Sequence, residues 1–209
     1  YDKNLKPGER TGTHSSQNDD RWVFTEDNPP RELTVAAHLA AGARALRGFN
    51  DELSKECIEI SEAIFNHEYK ISGMVANTKL HAAVELYLTT GKEKYKSYIL
   101  ENRETVVKGI NQLGWIIGRA LPKINNSEFT ALVRNAARNL SEEINKQSEE
   151  TPFGVPYRPR IWGAGWDIQS FGVRQYFLYT AFPDIFKAAP IFNALNLVLR
   201  VHPGDHPSS

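Results

Sequence analysis

The sequence is poor in sulfur and carries no excess of charge. Its 209 residues include one cysteine, Cys57, which excludes an intrachain disulfide and any zinc site built on paired cysteines. Lys+Arg and Asp+Glu number 25 each, so no electrostatic attraction to nucleic acid or to an anionic membrane is predicted. No apolar run approaches the roughly 20 residues that span a bilayer. The polar N-terminus lacks the apolar core of a signal peptide.

The sequence also lacks strand-like alternation, and helical periodicity dominates. Residues 1–30 are rich in Gly, Ser, Asn, Asp and Thr and are predicted to be irregular, whereas 31–209 are predicted to be helical. Apolar residues make up 41%, enough for a packed core. Helices joined by short and longer loops indicate stacked helical hairpins in one unit spanning 1–209. We therefore predict an all-α fold.

Capping and helix-breaking residues predict where the helices begin and end. Asn50 is predicted to cap a helix, Gly91 to end the one that starts near Ser72, and Ser127 to cap a long helix. A helix over 103–121 is predicted to end at Pro122. The helix after Asn50 is predicted to bury a stripe at helical spacing, namely Leu53, Cys57, Ile60 and Ile64.

The stretch from Thr151 to Phe182 holds the most informative side chains. A loop rich in proline and glycine carries Tyr157, Arg160, Trp162 and Trp166, and an aromatic helix follows. Tryptophan exposes a large apolar ring, which suits the C–H face of a sugar. Trp162 is therefore a candidate sugar platform, with a buried loop anchor as the alternative. For Arg160 the alternatives are a hydrogen bond to sugar hydroxyls and a brace for the loop.

The stretches TPFGVPYRPRIWGAGWDIQSFGVRQYFLYTAFPDIF and FNALNLVLRVHPGDHPSS resemble glycoside hydrolase family 9, a cellulase family with an (α/α)6 barrel. The stretch WGAGWDIQSFGVRQYFLY looks most like the corresponding sequence in the cellobiohydrolase-type branch of this family. The resemblance implies part of such a barrel, incomplete, and a β-glucan as partner. It implies subsite roles for Trp162, Trp166, Tyr157 and Arg160. Many family members carry arginine where Trp166 stands, so the family's polar contact to the sugar is not implied here. For Trp166 the alternatives are stacking on a sugar and packing against the protein.

The resemblance also shows which groups the sequence does not contain. Family 9 hydrolyses β-1,4-glucosidic bonds with inversion, which needs two carboxyl groups about 6.5–9.5 Å apart. The family's Asp-Ala-Gly-Asp motif is absent, so no catalytic residue is assigned. We expect a fragment of a secreted or periplasmic bacterial cellulase or endoglucanase, inactive alone, which associates with another copy or with the remainder of the barrel. The alternative is a non-catalytic helical carbohydrate-binding or scaffold protein.

Other polar residues receive less specific interpretations. His38 and His81 are interpreted as hydrogen-bonded core or rim residues, Glu142 and Glu143 as part of a solvated helix face, and Asp167 as a helix cap. No cofactor is predicted. A solvated loop is the favoured interpretation of an acidic cluster near Trp22, and a calcium site is the alternative. That cluster comprises Asp19, Asp20, Glu26, Asp27 and Glu32.

Overall fold

The computed structural model describes residues 28–151, 153–156 and 163–199. Within these ranges every regular element is an α-helix, which confirms the predicted fold class. The helices in chain order are α1 (Pro29–Leu46), α2 (Asp51–Asn66), α3 (Gly73–Thr90), α4 (Glu93–Glu101), α5 (Arg103–Lys108), α6 (Ile110–Ile124), α7 (Ser127–Glu149), α8 (Ala164–Ala181) and α9 (Ala189–Val198).

The helices form two layers. In the first layer, α1 packs on α3, α3 on α6 and α6 on α8. Between successive first-layer helices the chain passes through the second layer, which consists of α2, α4 with α5, α7 and α9. Packing between the layers joins α2 to α1 and α3, α4 to α3, α5 to α3 and α6, α7 to α6, and α9 to α8, as in stacked helical hairpins.

The seam between α1 and α2 is built from small residues. Alanines on one side of α1 are fully buried, and the Ser54 and Ser61 hydroxyls of α2 donate to α1 backbone carbonyls at 2.8 and 2.7 Å. Leu53 and Ile60 remain 41% and 43% exposed. The predicted apolar stripe is therefore wrong at Leu53 and Ile60, because close approach of two helix backbones favours small side chains over large ones.

Two predicted helix ends are confirmed. The Asn50 side chain accepts a hydrogen bond from the Leu53 N–H at 3.0 Å, which satisfies a free donor at the start of α2. Gly91 ends α3 with φ of 70°, a left-handed conformation that glycine adopts without steric cost.

Three other predicted boundaries are wrong. The α7 cap is Asn126 rather than Ser127, since the Asn126 Oδ1 accepts from the Phe129 N–H at 2.8 Å. The predicted helix over 103–121 is divided at Gly109 into α5 and α6. α6 continues through Pro122 to Ile124. Because Pro122 lies in the last turn, its missing N–H removes one hydrogen bond without disrupting a following helix.

Apolar side chains remain exposed at both ends of the layered arc. At the α1–α2 end they are Val35, Phe49, Leu53 and Ile60. At the α8–α9 end they are Val173, Tyr176, Phe192, Leu195 and Leu199.

Candidate functional site

Of the four predicted sugar-binding residues, Trp166 lies within the described part of the chain. It occupies the first turn of α8 and is 79% exposed, so its ring packs little against the protein. Tyr157, Arg160 and Trp162 lie outside the described residues, and their predicted roles stay predictions.

A glycine positions the turn that presents Trp166. Gly163 precedes α8 with φ of 81°, a conformation that strains other residues, and its carbonyl accepts from the Asp167 N–H at 2.9 Å. Asp167 thus lies inside the first turn, and its interpretation as a cap is wrong. Its carboxylate there interacts favourably with the positive end of the helix dipole.

A polar cavity of about 410 Å³ borders the same turn. It lies between the start of α6, the second half of α7, the first half of α8 and the loop at Val155 and Pro156. The side chains that line it are Asn111, Gln112, Leu140, Glu143, Ile144, Gln147, Val155, Pro156, Asp167, Ile168, Phe171 and Arg174. Asp167 follows Trp166 directly, so the cavity reaches the turn that carries the exposed indole.

The charges in the cavity are of both signs. Burial lowers the pKa of the Arg174 guanidinium, and the nearby Asp167 carboxylate opposes that shift. Glu143 accepts a hydrogen bond from Gln147 Nε2 at 2.9 Å. Glu143 is exposed, as its predicted solvated face requires, yet it also lines the cavity.

A row of aromatic rings crosses the first layer. His38, His81, Trp115 and Phe177 come from α1, α3, α6 and α8, and successive ring centroids lie 6.4, 5.8 and 5.6 Å apart. His38 is about 200° around α1 from Ala36, whose carbonyl bonds to α2, at 100° per residue. The row therefore lies on the face of the first layer that points away from the second layer.

A charged cluster lies beside this row. Glu85 is 3% exposed, accepts from Arg119 Nη1 at 2.8 Å and also accepts from Arg44. Arg44 donates in addition to the Glu85 backbone carbonyl at 3.0 Å. The cluster joins α1, α3 and α6 through one buried carboxylate. Paired in this way, the buried charge avoids most of the penalty that an isolated carboxylate would incur.

His81 connects the row with the cluster. Its Nε2 lies 3.8 Å from Glu85 Oε1. Burial lowers the pKa of His81 below its ordinary value, Glu85 raises it, and His38 and Arg119 lower it further. Since the net shift is downward, His81 is neutral at pH 7, and its contact with Glu85 is not an ion pair there.

The sequence interpretation missed this arrangement as a unit. His38 is exposed and His81 is partly buried, and their ring contacts with Trp115 and Phe177 join four helices. One local signal was available. His81 and Glu85 on α3, like Trp115 and Arg119 on α6, are four residues apart and therefore share a helix face.

The calcium site, which was the alternative interpretation of the acidic cluster, finds no support in the structure. Within residues 28–151, 153–156 and 163–199, no three or more His, Cys, Asp and Glu side chains are grouped to hold a metal ion. Glu32 accepts a hydrogen bond from the Tyr69 hydroxyl at 2.8 Å. Asp19, Asp20, Glu26 and Asp27 lie outside the described residues. Among the described residues no helix is both long and apolar enough to cross a membrane.

Comparison with known proteins gives a structural match. No protein-family model and no curated protein matches the sequence. The fold is similar to the crystal structure of a metagenome-derived glycoside hydrolase family 9 endoglucanase, with a TM-score of 0.64 and 18% sequence identity. The match covers 84% of this chain and 37% of that chain. This likeness supports the predicted fold, an arc of helical hairpins like part of an (α/α)6 barrel.

Proposed function

We propose that this chain is part of a family 9-type glucanase and binds β-1,4-glucan at the turn that carries Trp166. The observation that carries the proposal is the exposed indole at the start of a first-layer helix, in a chain whose fold resembles that of an endoglucanase. A secreted or periplasmic location of the parent enzyme belongs to the same proposal.

The physical argument concerns the free energy of the exposed ring. Leaving an indole in water forgoes the stabilisation that burial of its apolar surface provides, roughly 25 cal/mol per Å². A sugar ring stacked on it recovers part of that free energy. Because tryptophan has few rotatable bonds, little entropy is lost when it binds. Loss of the arginine found in many family members shifts recognition at this position from hydrogen bonding towards stacking.

Hydrolysis is proposed for the parent enzyme rather than for this polypeptide alone. Inversion requires one carboxylic acid to protonate the leaving oxygen and one carboxylate to activate water. The sequence contains no Asp-Ala-Gly-Asp motif to supply the base and its partner. The isolated chain therefore binds glucan without cleaving it.

The test is a calorimetric titration with cellotetraose. Replacing Trp166 with alanine should raise the dissociation constant about tenfold, as for removal of a central aromatic contact. Tyr176→Ala is the matched control, because Tyr176 is also exposed on α8 but lies about 15 Å further along the helix. Equal affinities of the wild type and the Trp166 variant for cellotetraose would contradict the proposal.

The missing motif also favours a second candidate, a non-catalytic carbohydrate-binding or scaffold protein with the same fold. Both candidates bind glucan, so affinity alone does not separate them. The reading frame of the gene does: an upstream Asp-Ala-Gly-Asp motif supports the enzyme, and a frame without it supports the binding protein.

A further inference from the structure

We propose that the polar cavity beside Trp166, here called the side pocket, receives one neutral sugar unit that branches from a glucan chain held on Trp166. The inference rests on the proposed function and adds a substrate class to it, a substituted rather than a plain β-glucan. The side pocket is the cavity between α6, α7 and α8 that includes Gln147 and Asp167.

The position of the side pocket fits a branch better than a main chain. Trp166 is open to solvent, so a linear chain can pass over it in either direction. The side pocket instead extends between the two helix layers. Exposed Asp167 lines it and follows Trp166 in the same helical turn, with consecutive Cα atoms about 3.8 Å apart. A volume of about 410 Å³ lies in the range of small-molecule sites.

The lining matches a sugar in its hydrogen-bonding chemistry. Asn111, Gln112 and Gln147 present amides, each of which both donates and accepts, as hydroxyl groups do. Gln112 and Gln147 are held by hydrogen bonds, Gln112 from Asn77 at 3.0 Å and Gln147 to Glu143 at 2.9 Å. Phe171 adds an apolar wall for the C–H face of a ring.

The charge of the side pocket selects against an acidic branch. Glu143 and Asp167 contribute two carboxyl groups, and Arg174 contributes one guanidinium. The net charge of the side pocket is therefore negative. A branch that carries a carboxylate is repelled, whereas a neutral sugar unit experiences no such repulsion. A neutral pentose or hexose is therefore the expected occupant.

Two buried polar atoms occur on the helices that form the side pocket. Ser148 Oγ and Gln175 Oε1 are buried and have no hydrogen-bond partner in the described part of the chain. Ser148 is next to Gln147, and Gln175 is next to Arg174. Buried polar groups without protein partners are usually satisfied by water, so water is expected next to both atoms, although neither residue lines the side pocket itself.

The experiment compares two neutral probes by calorimetry on the intact chain: cellotetraose, and the same backbone with one α-1,6-linked xylose. The wild type should bind the branched probe about fivefold tighter, the gain expected from one or two added hydrogen bonds. Gln147→Ala should remove this preference while leaving cellotetraose affinity unchanged. Asn111→Trp, at an exposed helical position, fills the side pocket and should do the same.

The outcomes separate this inference from the proposed function. Trp166→Ala should weaken both probes by the same factor. If cellotetraose binds as proposed but the branched probe binds no tighter, the side-pocket inference alone is overturned. If neither probe binds, both proposals are overturned. A probe with a glucuronic acid branch should lose the gain, and tighter binding of that probe than of the xylosyl one would contradict the charge argument.

Discussion

Glu85 is the residue whose removal the structure predicts to be most costly. It is buried between Arg44 and Arg119, so Glu85→Ala leaves two guanidinium groups facing each other across three helices. Removing one member of a buried ion cluster costs about 3 kcal/mol of unfolding free energy. The arginines are partly solvated, which places this value at the lower end of the usual range. Urea denaturation monitored by circular dichroism measures the loss.

The control for Glu85 uses the same substitution in an exposed helical ion pair. Glu59 pairs with Lys55 four residues earlier at 3.7 Å, and both side chains are largely solvated. Glu59→Ala should therefore cost less than about 0.5 kcal/mol. Equal losses in the two variants would contradict the stabilising role assigned to the Glu85 cluster.

His81 gives the protein a pH-dependent stability at the residue scale. Its folded pKa lies below the unfolded value of about 6.5, because burial disfavours the charged ring. As the pH falls below about 6.5, the unfolded chain binds the proton first, so the stability contributed by the neutral ring is lost.

The pH effect is isolated by comparing wild type with His81→Gln, since most carboxyl groups titrate alike in both. Urea denaturation at pH 7.5 and pH 5 should show the wild type losing more stability than the variant. A wild type that gains stability relative to the variant on acidification would reverse the sign of the effect and contradict the mostly buried position of His81.

At the element scale, the sequence predicted that helices exist more reliably than it predicted which faces are buried. Asn50 and Gly91 carry their capping chemistry locally, so the ends of α2 and α3 were predictable. The buried side of α2 was not. Its seam depends on how closely α1 approaches, and the small alanines of α1 make Ser61, rather than Ile60, the contacting residue.

This seam can be tested with two adjacent residues. Ser61→Leu inserts a large side chain where α1 and α2 are in close contact, and overpacking of this kind costs about 1–3 kcal/mol. Ile60→Ser should cost less than Ser61→Leu, since Ile60 is already 43% exposed. Thermal unfolding of both variants measures the difference. A larger loss of stability in Ile60→Ser than in Ser61→Leu would indicate that α2 buries Ile60, as the sequence predicted.

From the sequence, the candidate site was predictable only where it depends on a single residue and not on how several helices pack. Trp166 was named from the sequence as a loop residue. It is exposed, but it lies in the first turn of α8 because that helix begins at Ala164. The row through Trp115 and Phe177 needed the helix order and rotation, which come from tertiary packing. The side pocket likewise depends on how α6, α7 and α8 pack together, which no local sequence pattern encodes.

At the scale of the whole molecule, the arc ends in two exposed apolar edges. Large apolar patches on a protein surface favour association. We therefore expect copies of the chain to associate through the α8–α9 edge as concentration rises. Leu195→Glu places a charge within that edge and should shift sedimentation towards the monomer.

Leu132→Glu is the control for association, because Leu132 is an exposed leucine on α7 away from both edges. Its sedimentation should match that of the wild type. A wild type that remains monomeric at the highest concentration reached would contradict association through the edge.

The central claim is that an arc of a glucanase-like barrel presents Trp166 to a glucan chain. The most direct measurement follows the indole N–H signals of the intact chain by NMR during titration with cellotetraose, with the Trp166 signal assigned by its loss in Trp166→Phe. The account predicts a saturable shift of the Trp166 signal and no comparable shift for partly buried Trp115. Saturable binding of cellotetraose that leaves the Trp166 signal unmoved, or no binding at all, would contradict it.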